Sequence, residues 1–536
     1  MLRRFFAISL FTFPPLAPAA DWPQDGGNAQ RTAYTSEEPE LPWVFAWAWN
    51  GPDATGGTGR HRYHQLQPHV PYEARICLGG GLIFAPAGEQ GIFALRVADG
   101  TEAWHFGGGT CVATAAYDDD TGTVFVGTHE GVVYKLAAST GTVLGQVSAG
   151  GPVGKALLLA DGKIHALTDS GVLHQWETTS LRELWKYAAG ASAQTLPAFS
   201  ADPPAVIFAT ADLKVHCVSA TDGKAKWVVS PAGKDAPEGA EFTGGWPVVA
   251  ARHGIVFVRL LAPKIDEVLW SGGGPKGKWP KTNEAIRQRL LAHPELQNLF
   301  ALRLSDGQSA FIPAIGPAGV EDLHEGKPRL RVHSFPVLKT IAGREFAYLH
   351  WRNGDTTDPT WDARWDSHLG EMVLDADSVS GCAAGDLRFV QFEAHGGWSH
   401  VTDESCPLSM AGDTLFQAHW DVSQSARITD RSPGLGRIRS QPIQTTALPP
   451  VVRHARLTPE ALDPITHWSA DALTLMDGRY YGSPGFWTYA NVLDPPTPTR
   501  DAYSEGVLPR FTCVAAGHII VQGNGGELLV LRTHSK

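Results

Sequence analysis

The sequence predicts an all-β fold in which a four-stranded antiparallel unit repeats around a ring, that is, a β-propeller. Three observations lead there. The first is a fixed period: the segments Ile92 to Trp104, Val132 to Gly141, Val172 to Trp185 and Val215 to Trp227 align beneath one another, with a degenerate fifth copy from Phe300 to Gly307. Gly100 and Gly141 lie 41 residues apart and Gly141 and Gly223 lie 82 apart, twice that spacing, with the Trp185 copy between them. The second is composition, since 58 Gly, 38 Pro and 18 Trp with only 18% charged residues describe short strands, tight turns and large rings packed between sheets. The third is turn chemistry. Asp99-Gly100, Thr140-Gly141, Asp222-Gly223 and Asp306-Gly307 place a glycine where a tight hairpin requires positive φ. A unit of about 40 residues cannot bury both faces of its sheet alone, so neighbours must stack and the ring must close.

In chain order, Arg3 and Arg4 precede an apolar run from Phe5 to Phe13 and an Ala17-Pro18-Ala19 triplet, the three parts of a secretory signal. Residues 1–20 are therefore expected to be removed near Ala19 or Ala20, leaving a periplasmic or secreted chain. The apolar run falls short of the roughly 20 residues of a spanning helix, and no later segment is long and apolar enough for one. Residues 21–76 read as an N-terminal extension that contributes a closing strand from Pro42 to Trp49, and residues 77–536 as the propeller. An insertion at 262–299 in blade five carries a Gly-rich stretch and then a helical pattern at Ala285, Ile286, Leu290 and Leu291. Late blades are expected at 334–391, 405–455, 468–495 and 511–533.

The pattern A-L-x-x-x-D-G-x-x-x-W, as in Ala94 to Trp104 and less fully in Ser219 to Trp227, resembles the tryptophan-docking motif of the pyrroloquinoline-quinone-like (PQQ-like) repeat proteins. The opening Asp21-Trp22-Pro23-Gln24-Asp25-Gly26-Gly27-Asn28-Ala29-Gln30-Arg31-Thr32 is similar to the W-P-x-x-x-G-x-x-x-x-R-T start common among them. The resemblance implies eight four-stranded blades. The segments counted above give nine, so two late ones are expected to share a blade. It also implies docking roles for Gly100, Trp104, Gly141, Trp185, Gly223 and Trp227, each tryptophan lying against the next blade.

Quinoprotein dehydrogenases of this family bind the quinone and a calcium ion above the central channel, often beside an adjacent cysteine pair. The six cysteines here, Cys77, Cys111, Cys217, Cys382, Cys406 and Cys513, include no adjacent pair and no C-x-x-C. The chain therefore resembles the non-catalytic members, with no cofactor expected; PQQ with calcium is the alternative, in a quinone- or metal-dependent oxidoreductase. An even cysteine count in an exported chain permits disulfides, with Cys77–Cys111 and Cys382–Cys406 the first pairs to test.

Two polar constellations stand out as a ligand or metal rim. One runs from His350 through Asp366, His368 and Glu371, and the other comprises Asp403, Glu404 and His419. Carboxylates and imidazoles among tryptophans suit a divalent cation or a sugar. His61, His64 and His69 read as a loop without partner ligands. The net charge of −11 excludes a nucleic-acid partner, because phosphate contacts need clustered Lys and Arg. The expected function is that of a binding or scaffold protein, holding a protein or carbohydrate partner through the rim loops of blades five to seven.

Overall fold

The computed structural model describes residues 21–37, 43–49, 74–242, 247–261, 280, 282–315, 321–324, 327–330, 336–341, 343–351, 368–376, 381–390, 408–412, 414–419, 451–456, 473–476, 479–482, 509–523 and 528–533. Blade 1 sets the plan: Cys77–Gly79, Leu82–Pro86, Ile92–Arg96 and Glu102–Phe106 form an antiparallel meander in that order. Blades 2, 3 and 4 repeat it over residues 116–148, 158–188 and 198–229. The first strands of neighbouring blades lie against one another, which puts them nearest the axis. Second strands such as Leu82–Pro86 and Thr123–Gly127 are buried along their whole length, whereas the outermost strand of blade 2, Val143–Ser148, alternates between exposed and half-buried. The apolar runs thus sit where blades face each other on both sides, and the alternating runs where one face meets water.

Blade 5 departs from the plan. Its innermost position is filled by two pieces, Glu241–Phe242 and Val248–Ala250, which pair successive stretches of the same edge of Ile255–Leu261. The insertion follows, and then Leu299–Arg303 and Ser309–Phe311 complete the sheet. The inserted helix, Asn283–Ala292, starts with the Thr282 side chain accepting from the Ala285 amide and buries Ile286 and Leu290. Leu291 is instead exposed. At the helix start Asn283 exchanges two hydrogen bonds with the Leu387 backbone, and Arg287 pairs with Asp386, so the insertion fastens blade 5 to blade 6.

Blade 6 comprises Val337–Ile341, Arg344–Trp351, His368–Val373 and Leu387–Val390. Blade 7 takes three strands, Leu408–Ala411, Thr414–His419 and Val451–Arg456, and a parallel fourth, Tyr34–Thr35, from the N-terminal segment. A closing sheet joins the two ends of the chain, Pro509–Ala515, His518–Gly523 and Leu528–Thr533 being completed by Trp43–Trp49. The expectation of eight uniform four-stranded blades is corrected accordingly: among the described residues seven sheets have four strands, and the sheet bearing the insertion has five. The surplus late segment, 468–495, contributes only the two-stranded hairpin Leu473–Met476 and Arg479–Gly482.

Candidate functional site

The described residues place two recurrent arrangements around the ring: joints between blades, and a strap along the axis. At the joints, the outer-strand tryptophan of one blade covers the turn glycine of the next. The Trp104 indole lies over Gly141, Trp185 over Gly223 and Trp227 over Gly307, so close that a Cβ on each glycine would fall 2.7–2.8 Å from a ring atom. Each indole N–H donates to a backbone carbonyl just ahead of that turn: Trp104 to Ala138 at 2.7 Å, Trp185 to Ala220 at 3.1 Å and Trp227 to Leu304 at 2.8 Å. The ring closes by the same device. Trp47, from the N-terminal strand of the closing sheet, lies over Gly100 and donates to Val97 O at 2.7 Å.

The joint between blades 2 and 3 inverts this arrangement. Gly145 stands at the tryptophan position, opposite Lys135 as Trp104 stands opposite Ala94, and Leu181 replaces the turn glycine. Leu181 holds φ at +57° and brings its Cδ1 to 2.7 Å from where a Gly145 Cβ would be. The Lys135 ammonium donates to Thr178 O at 2.7 Å, the bond that an indole makes elsewhere. The bulk therefore moves to blade 3, while the hydrogen-bond donor stays on blade 2.

The strap is the segment Trp22–Thr35. Its carbonyls accept from one inner-strand amide after another: Trp22 O from Leu78, Pro23 O from Tyr117, Ala29 O from Phe199, Gln30 O from Val249, Thr32 O from Leu338 and Ala33 O from Met410, at 2.7–3.1 Å. Gln24 fills the blade 3 place with its side chain, accepting from Leu159 N and donating to Leu159 O. Buried Arg31 donates to the carbonyls of Asp25, Leu157 and Pro197, and buried Asp25 pairs with Arg75 at 2.8 Å. Burial lowers Arg31 to about 10, against the opposing pull of Asp25, so it stays cationic at neutral pH.

Of the sequence-derived rim residues, Asp366, Asp403 and Glu404 lie outside the described residues, as do His61, His64 and His69. His350 and His368 fall on adjacent strands of blade 6, and His419 on a strand of blade 7. Glu371 is buried and accepts a 2.7 Å hydrogen bond from the Tyr348 hydroxyl across the sheet, a structural contact inside blade 6. Odd spacing also gives Glu371 the opposite strand parity from His368. Among the described residues no group of three or more His, Cys, Asp or Glu is gathered as a metal site.

The disulfide expectation is corrected for Cys77 and Cys111, which are both free and buried, as are Cys217 and Cys513; the expected Cys382–Cys406 pair involves Cys406, which lies outside the described residues. Cys77 and Cys111 sit on a first strand and on a connecting segment that bridges back to Gly88, where they pack as small apolar groups.

A family model described as outer membrane protein assembly factor BamB matches residues 88–259, from the third strand of blade 1 through blade 4 into blade 5. The chain is a β-propeller whose residues 88–259 match the PQQ-like repeats. No curated protein matches it in sequence. Among solved structures it is similar to BamB from Moraxella catarrhalis, at 13% identity and TM-score 0.43 over 87% of this chain and 97% of that one. It is also similar to the computationally designed Ika8 protein, at 10% identity and TM-score 0.43 over 86% and 97%. The strap bears directly on the quinone of this repeat family. It lies along the inner strands at the axis and takes up their amides, so the described residues there do not fit a cradle for a planar cofactor.

Proposed function

We propose that this PQQ-like propeller is an exported, non-catalytic scaffold that binds a protein partner during the assembly of outer membrane proteins. The observation that carries the reading is the match of residues 88–259 to a family described by that assembly role. Two features support it. The strap occupies the axial amides, which leaves the outer surfaces and rim loops for recognition, and no helix among the described residues is long and apolar enough to cross a membrane. The signal-like residues 1–20 agree with an exported, periplasmic protein. Nothing supports the carbohydrate partner, and it is not proposed.

The test is deletion of the gene in its native host, with outer-membrane β-barrel proteins quantified by mass spectrometry. A fall in their levels, restored by the wild-type chain, is the expected result. Unchanged levels together with saturable, calcium-dependent binding of PQQ to the purified protein would replace the scaffold reading with the oxidoreductase one.

A further inference from the structure

The first strand of each of blades 1 to 6 has one ladder partner and turns its other edge toward the axis, where buried amides face away from water; in blade 7 that edge pairs with Tyr34–Thr35. An unpaired buried amide is costly, and converging edge strands accumulate that cost blade by blade. The strap answers it residue by residue. Positions 22, 23, 24, 29, 30, 32 and 33 serve blades 1, 2, 3, 4, 5, 6 and 7 in that order, so the strap walks once around the ring with the blades. The contact is also in register. Leu78, Tyr117, Leu159, Phe199, Val249 and Leu338 are each the second residue of their strand. A loop packed on the axis by chance would not meet six strands at the same position.

The residues of the strap are those its path requires. Gly26 and Gly27 adopt φ of +66° and +76°, and Cβ atoms there would meet Arg31 Cα at 2.7 Å and the Trp22 ring at 3.2 Å. Ala33 N closes back on Gly26 O, and Asn28 brackets Thr32 through both its side-chain atoms. Trp22 is fully buried, 5.8 Å from the ring of Phe511 in the closing sheet. From Thr35 the chain goes on to Trp43–Trp49, the strand that completes that sheet and docks Trp47 on blade 1.

We infer that Trp22–Thr35 is an internal strap that closes the ring: it supplies the acceptors for the axial amides of blades 1 to 7 and delivers the closing strand, so that strap and closing sheet open together as one unit. This goes beyond the scaffold reading and stands whether or not that reading does. Its consequence is that the axis becomes available to an extended polypeptide only when the strap leaves.

The experiment is hydrogen-exchange mass spectrometry on the full mature chain, wild type against Arg31→Gln, which removes donors to three carbonyls. Peptides carrying the amides of Leu78, Tyr117, Phe199, Val249, Leu338 and Met410, and those of the 43–49 to 528–533 ladder, are expected to accelerate by one common factor of roughly tenfold or more. The outer ladder of blade 3, around Gln175 and Trp185, is expected to keep its rate. Acceleration confined to the Leu157 and Pro197 surroundings, or unrelated factors at the six amides, would reduce the strap to a local anchor and overturn the inference. If Arg31→Gln does not fold, Asn28→Ala, a half-buried bracket of the same segment, is read by the same criteria.

Discussion

Gly141→Ala isolates what a tryptophan joint contributes. Two costs are expected. One is backbone strain, because φ at Gly141 is +70°, a conformation that costs an L-residue about 1–2 kcal/mol. The other is steric, because the new methyl falls 2.7 Å from Trp104 Cδ2, and the indole can retreat only by giving up its 2.7 Å bond to Ala138 O. A lost hydrogen bond is worth about 1 kcal/mol, and overpacking costs about 1–3 kcal/mol, so the total comes to about 3–6 kcal/mol. Gly162→Ala provides the control. Gly162 has φ of +67° and nothing within 4 Å of its would-be Cβ, so only the strain of about 1–2 kcal/mol remains.

The assay is urea unfolding at constant m, followed by circular dichroism, for both alanine variants in the wild-type and Trp104→Ala backgrounds. With the indole gone, Gly141→Ala should cost no more than Gly162→Ala, which gives a coupling energy of about 2–4 kcal/mol between positions 104 and 141. Equal costs for the two alanines in the wild-type background, or additive costs in the cycle, would refute the claim that the indole–glycine contact holds blade 1 to blade 2.

The inverted joint makes a complementary prediction: Gly145→Trp alone clashes with Leu181 and destabilises, and adding Leu181→Gly recovers about 2 kcal/mol in the same urea assay. Buried His165 is held neutral, its pKa lowered to about 4 by burial against the bond to Leu158 O. The unfolded chain therefore binds a proton that the folded one refuses, and stability that is full above pH 6.5 falls as the pH drops toward 4. The decline is about 2 kcal/mol, read as the extra slope of wild type over His165→Asn in urea midpoints between pH 7 and 4.5. For the cysteines, burial raises Cys111 and Cys217 to about 12 and pushes Cys77 and Cys513 up as well. All four should resist thiol reagents in the native protein and be alkylated without reductant once it is unfolded, as peptide mapping will show.

What the sequence made legible was whatever repeats. The D-G and T-G turns and the tryptophans at a constant offset from them carry the blade plan, because positive φ and the bulk of an indole each admit few residue types. The exchange at Gly145 and Leu181 escaped notice for the same reason: a search for tryptophan over glycine does not see glycine under leucine, although the packed volume is conserved. Glu371 was misplaced because His350 and Glu371 look like one polar stretch along the chain. In the fold they belong to two adjacent strands, with Glu371 turned into the sheet toward Tyr348. The segment count ran one over at 468–495, where alternating apolar residues form only a two-stranded hairpin and not a blade.

The strap was the hardest feature to read, and the reason is chemical. Its contacts to the blades are made chiefly by backbone carbonyls, which every residue has, so they leave no residue-type pattern. Only the side chains that bend and anchor the segment, Trp22, Gly26, Gly27, Asn28 and Arg31, register in the sequence, and they register as an N-terminal motif without an evident task. The motif and the docking repeat then prove to be two halves of one solution. Tryptophan joints hold the closing sheet to blade 1, blade 1 to 2, blade 3 to 4 and blade 4 to 5, while the strap satisfies inner edges that the joints do not reach. Both devices meet at Trp47, which is carried by the chain just beyond the strap and docks on the first blade as Trp104, Trp185 and Trp227 dock on theirs. A propeller closed in this way commits the inner edges of its blades to its own closure.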